Sequence, residues 1–200
     1  MAWFTLSALP GQTFSDVREE LETASPRATA IVGAAFVEDH LQRLIHSRLV
    51  HDKKVVEQMF GPSSALGTFS SKINLGFLMG LYSTDARREL DCIRSIRNDF
   101  AHELHINSFD IPSIKDRCAT LKLWQTIQIS FTEAEEEVSD KLTKEVAKNA
   151  QPKPPVAIIN FSDGVDASNP RARYVAACRF FLALFAVLIN FSKRPAAPEI

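Results

Sequence analysis

The stretch Leu90 to Leu104, LDCIRSIRNDFAHEL, constrains this chain more than any other. Leu90, Ile93, Phe100 and Leu104, with Ile96 beside them, recur at the three- and four-residue steps of a helix rather than the alternation of a strand. Arg97 falls on the same stripe, because 90, 93, 97, 100 and 104 advance by three or four. A charge facing a core needs a partner, since an unpaired buried charge is very costly. Two readings follow. Arg97 is a structural arginine paired to a carboxylate on a neighbouring helix, or Arg97, Asn98 and His102 form a polar pocket at a helix seam. Asn98 and His102 lie one turn apart. Arg97 and His102 diverge by roughly 140° on an ideal helix, so one pocket takes both only if it straddles the helix edge, the helix end distorts, or a second chain completes it.

A carboxylate for that arginine is found upstream. Pro26 suits the first turn of a strong helix over about 26–50. Ile31, Ala34, Ala35, Leu41, Leu44 and Ile45 make its apolar face, and Glu38 lies on that face, seven residues from both Ile31 and Ile45. Glu38 is therefore the expected partner of Arg97 or Arg94, with Asp39 toward the edge. Lys72 and Arg94 are expected in solvent unless they line the same cleft.

The remaining pattern is helical. Residues 1–14, broken by Pro10 and Gly11, are expected as a loose arm, followed by a short helix over Ser15 to Thr23. His51 to Phe60 forms a short helix ended by Gly61-Pro62. Phe69, Ile73, Phe77 and Leu81 give a helical stripe within 66–83, with Gly67, Gly76 and Gly80 small enough for a crossing helix to approach. The central helix starts near Asp85, and Pro112 opens another that reaches about Thr126. Residues 132–148 read as a solvated cover helix, acidic at its start and lysine-rich at its end. Pro152, Pro154 and Pro155 begin a connector over about 149–170 in which VAIINF is strand-like but without an identifiable partner. Arg171 to Phe191 is the most apolar helix, expected at the centre or at a dimer interface. With no repeat and no division, the expectation is an all-α, single-domain bundle of six to seven helices over 1–200.

Composition narrows the chemistry. The formal charge is 23 minus 24, or -1, which argues against attraction of the whole protein to nucleic acid. Cys92, Cys118 and Cys178 stand singly at wide intervals, as in a reduced, cytoplasmic protein rather than a disulfide framework. The longest apolar run, Phe180 to Ile189, is about half a membrane span, so no membrane is expected. His46 with His51, and His102 with His105, match no strong ligand spacing. No metal and no cofactor is expected.

Three blocks carry a resemblance: AIVGAAFVEDHLQRLI, FGPSSALGTFSSKINLGFLMGLYS, and IRSIRNDFAH followed by Ser108-Phe109. Over Ile31 to Phe109 the chain resembles the mannitol operon repressor (MltR-like) family. That resemblance implies an all-α transcriptional regulator that works through a protein partner, since neither the family nor this chain has a helix-turn-helix, and a homodimer is expected. The shorter string RNDFAH resembles the Arg-Asn-x-x-x-His motif of HEPN domains, helical dimers that include metal-independent endoribonucleases and toxins. It implies that Arg97 holds phosphate and stabilises developing charge, that His102 handles the proton, and that Asn98 orients the phosphate. RNA brings its own nucleophile in the 2′-OH, so these groups suffice without metal. A repressor that binds DNA directly is a third alternative, but no basic face on a protruding element is evident.

Overall fold

The computed structural model describes residues 7–9, 12–50, 52–126, 129–131, 157–159, 161–162 and 164–190. A minimal ribbon, β1 (Ser7–Leu9) and β2 (Gln12–Thr13), leads into α1 (Phe14–Thr23). The helices α2 (Pro26–Ser47), α3 (Lys53–Phe60), α4 (Phe69–Leu78), α5 (Thr84–His102) and α6 (Pro112–Thr120) follow, then the single turn α7 (Leu123–Thr126). A second ribbon of β3 (Ile129–Phe131) and β4 (Ala157–Ile159) precedes α8 (Pro170–Asn190). The protein is an all-α bundle, and the two ribbons are minor additions to it.

Capping residues explain most boundaries. Ser25, Asp52, Thr68 and Ser83 stand at the N-caps of α2, α3, α4 and α5, each accepting from the backbone N–H three residues on. Thr68 and Ser71 complete a reciprocal capping box. The helix expected over 66–83 stops at Leu78, because Gly80 takes a left-handed φ of 69° that turns the chain. Gly76 is small for a different reason from the one expected. The atoms nearest to where its Cβ would be belong to Tyr82, whose hydroxyl lies 2.7 Å from that position and donates to the Ile73 carbonyl at 2.7 Å. The helix expected from Pro112 to Thr126 is broken into α6 and α7 at Leu121-Lys122.

The long α8 is the axis of the core. It packs most extensively along α2 and also touches α1, α6 and α7. Tyr174, fully buried, donates its hydroxyl to the Ala30 carbonyl at 2.7 Å and locks α8 to α2. Phe180, Phe181 and Phe185 fill the centre, while α1 adds Val17 and Leu21 against Val175 and Leu182. Among the described helices α8 alone is long and apolar enough to cross a bilayer, and more than half of it is buried inside this bundle.

The strand-like VAIINF finds a partner in Ile129–Phe131, with Ile158 opposite Ser130 in an antiparallel register. The two ends of the intervening segment are thereby tied together. The expected cover helix over 132–148 lies outside the described residues, as do Pro152, Pro154 and Pro155 of the connector.

Candidate functional site

α5 is set into the bundle by Ala86, Glu89, Leu90, Ile93, Ile96 and Phe100, all buried. The buried stripe thus runs through Ile96, not Arg97. Arg97 is half-buried on the flank, and Leu104, expected on the stripe, lies beyond the helix end and is 89% exposed. Both 93-96-100 and 93-97-100 satisfy helical spacing, and an isoleucine loses its hydration at far lower cost than a guanidinium.

The expected pairing of Glu38 with Arg97 or Arg94 is not formed. Glu38 accepts from Lys72 Nζ at 2.7 Å, across the seam between α2 and α4. Lys72, expected in solvent, is buried there, with only 7% of its side chain exposed. Arg94 pairs with Asp91 in its own helix at 3.3 Å, and Asp39 pairs with Arg43 on the surface of α2 at 2.7 Å. Glu38, Asp39 and Arg94 therefore contribute nothing direct to Arg97.

Arg97, Asn98 and His102 remain together at the C-terminal end of α5. Arg97 Nη1 donates to Asn98 Oδ1 at 2.9 Å, which orients both side chains. Among the described residues Arg97 makes no ion pair, and His102 stands exposed in the last turn, where a cation suits the helix dipole. The arrangement offers an anion-binding guanidinium and an accessible imidazole on one helix end, with the two positions roughly 140° apart around the helix.

That helix end is held rigidly by Arg27, a residue the sequence pattern did not single out. Its guanidinium, reaching from the first turn of α2, donates to the Phe100 carbonyl and to those of Glu103, Leu104 and Ile106 at 3.3, 3.2 and 2.8 Å. These are terminal helix carbonyls and the loop just beyond, which lack intrahelical partners. Arg171 and Arg173, in the first turn of α8, repeat the device. Arg171 donates to the Leu21, Glu22 and Ala24 carbonyls at the end of α1. Arg173 donates to the Cys118, Ala119 and Leu121 carbonyls at the end of α6. A cation in a helix's first turn opposes that helix's dipole, but which other helix end it serves depends on packing from distant parts of the chain.

The other end of α5 carries a second missed residue, Glu89, buried and joined to the start of α7. Two histidines on α2 are also held away from their ordinary titration. Burial lowers the pKa of His40, whose Nδ1 meets the Phe36 carbonyl at 3.0 Å. Burial, and then the charge of Lys72, lowers that of His46, which packs edge-on against Phe60. The widely spaced cysteines converge in the core, and burial raises all three thiols, Cys118 to about 12. Among the described residues no group of three histidine, cysteine or carboxylate side chains is placed to hold a metal ion.

Comparison with known proteins returns no match: no family model fits the chain, and no curated protein or solved structure matches it.

Proposed function

We propose that this chain is a transcriptional regulator resembling the mannitol operon repressor, acting as a homodimer through a protein partner. The observation that carries this reading is α3. It is amphipathic yet buries none of its residues, and Val55 and Met59, one turn apart, are 51% and 40% exposed beside the exposed Val50. Three large apolar side chains within ten residues of an outlying helix make a contact edge rather than the scattered exposure of an ordinary surface. Lys54, exposed and next in sequence to Val55, adds a cation on the same helix, which suits an apolar partner groove bordered by carboxylates. The near-neutral charge of the chain favours protein contact over operator reading.

The test uses a mannitol-transport promoter reporter in cells lacking the chain. Wild-type protein is expected to restore repression, while a folded Val55→Glu/Met59→Glu variant leaves expression high. Repression by the double variant at the wild-type level would remove the role of α3. A shift of promoter DNA by the purified chain alone would favour direct DNA binding.

A second reading, a HEPN-like metal-independent endoribonuclease, is favoured by the Arg97 guanidinium, bonded to Asn98 but without an ion pair among the described residues, and by the exposure of His102. In it the RNA 2′-OH attacks the adjacent phosphorus, the bond to the 5′ oxygen breaks, Arg97 steadies the added negative charge, and His102 transfers the proton. Single-stranded RNA incubated with chelator and wild-type protein is then cleaved, and Arg97→Ala and His102→Ala each abolish cleavage without unfolding the chain. Equal cleavage by all three proteins would assign the activity to a contaminant.

A further inference from the structure

The start of α5 and the junction between α6 and α7 enclose an open groove of about 340 Å³, lined by Asp85, Arg88, Glu89, Thr120, Lys122 and Leu123. Glu89 is only 7% exposed. Its Oε1 accepts the backbone N–H of Lys122 at 2.6 Å and of Leu123 at 2.9 Å, which fixes the turn into α7. Its Oε2 is sealed from solvent and has no hydrogen-bond donor among the described residues. A purely structural cap accounts for one oxygen and leaves the other as an unsatisfied buried acceptor, an arrangement folded proteins avoid. The nearest core cation, Arg173, does not fill the gap, because its guanidinium is committed to the Cys118, Ala119 and Leu121 carbonyls.

The rim has the opposite character. Among the described residues Arg88 pairs with Asp85 alone, at 3.1 Å and with both side chains mostly in solvent, a contact that is readily exchanged. The Lys122 side chain is exposed and makes no ion pair among the described residues. With the carboxylate of Glu89 at the inner wall, and Lys122 with the Arg88–Asp85 pair at the mouth, the groove carries one more cation than anion at its rim and an anion inside. From this we infer that the groove binds a small zwitterion, a free α-amino acid or a molecule with the same ammonium–carboxylate pair. Its ammonium donates to Glu89 Oε2, an atom that binding must first uncover, and its carboxylate meets Lys122 and Arg88. A simple amine has no carboxylate for Lys122, and a simple carboxylate is repelled by Glu89. The volume suits one amino acid and lies at the small end of ligand cavities. This site is independent of α3 and of Arg97, so it stands apart from the regulatory reading.

The test is calorimetric titration of the full chain with each common amino acid, with butylamine and butyrate as single-charge controls. At least one amino acid is expected to bind at least about tenfold more tightly than either control. Glu89→Gln keeps an oxygen for the two backbone N–H groups but replaces the free acceptor with a donor, and is expected to weaken binding by at least about tenfold. Lys122→Ala is expected to weaken it severalfold. Absence of binding by every amino acid up to about 10 mM, equal binding of butylamine, or undiminished binding by Glu89→Gln would overturn the site. Should that variant fail to fold, amide NMR of the wild type decides: amino-acid titration must shift the Lys122 and Leu123 resonances, and their failure to move overturns the proposal.

Discussion

Lys72 and Arg97 are both cations on helices of the same bundle, and the molecule treats them in opposite ways. Lys72 is buried at the α2–α4 seam with its ammonium on Glu38, while Arg97 rests half-buried on the flank of α5 against the side chain of Asn98. The reading from periodicity had them reversed. The difference teaches that a charge is placed by which neighbour competes for its face. Arg97 competes with Ile96 for the seam and loses; Lys72 lies one position from Ile73 on a helix whose neighbour presents a carboxylate within its reach. Structural polarity therefore resides at Lys72 and Glu38, and Arg97 is left available for a ligand or partner.

The largest expected effect breaks the buried side of this comparison. Glu38→Ala leaves the Lys72 ammonium unpaired inside the protein and is expected to cost about 3 kcal/mol in denaturant unfolding. Glu38→Leu combined with Lys72→Met removes both charges and should return to within about 1 kcal/mol of wild type. A double variant as unstable as the single would show that packing, not charge, dominates the seam.

Next in size is Arg27, which sharpens the exposed side by loosening the helix end that carries His102. Arg27→Ala is expected to cost about 2 kcal/mol and to speed hydrogen exchange at the Glu103 and Ile106 amides. Those amides bond to the Asp99 and Glu103 carbonyls within the same end of α5. Unchanged exchange there would mean that the guanidinium contributes nothing to its rigidity.

A smaller effect is the pH response of α2. His40 and His46 both titrate below the ordinary imidazole value in the folded protein, chiefly through burial. As pH falls below about 6.5, the unfolded chain takes up protons first, so the stability present above that value is lost progressively toward the lowered folded values. Asp39 and Arg43 face His40, and Lys72 faces His46. Glu89 acts in the opposite sense: burial raises its pKa, so its ionisation lowers stability as pH rises past the ordinary carboxylate range. Chemical denaturation of His40→Gln/His46→Gln in a Glu89→Gln background should have a flatter acid limb than Glu89→Gln alone. Equal slopes would place the acid sensitivity elsewhere.

The smallest effect is at Arg97. Arg97→Ala is expected to change stability by no more than about 0.5 kcal/mol, measured by the same unfolding titration. A loss comparable to that of Glu38→Ala would return Arg97 to the structural core.

Much of the architecture was legible in the amino-acid pattern because its causes are local. Proline at the start of α2, the side-chain caps at Ser25 and Ser83, and three-and-four spacing of apolar residues act within one or two turns. The grouping of Arg97, Asn98 and His102 on one helix end was legible for the same reason. The assignment of Glu38 was not, since periodicity says which residues share a face but not which neighbouring helix that face meets. Neither was the partner of Ala157–Ile159, which lies across a long sequence interval at Ile129–Phe131.

Sequence alone determined a helical chain with a buried α8, a polar end to α5 and a near-neutral surface charge, since these follow from side-chain type and spacing. Tertiary structure alone decided that Lys72 takes Glu38, that Arg27, Arg171 and Arg173 serve the ends of other helices, and that one Glu89 oxygen has no partner among the described residues. Each of these depends on which groups are brought together from distant parts of the chain. Desolvation makes the outcome unequal: a charge is retained inside only where a partner from another element reaches it.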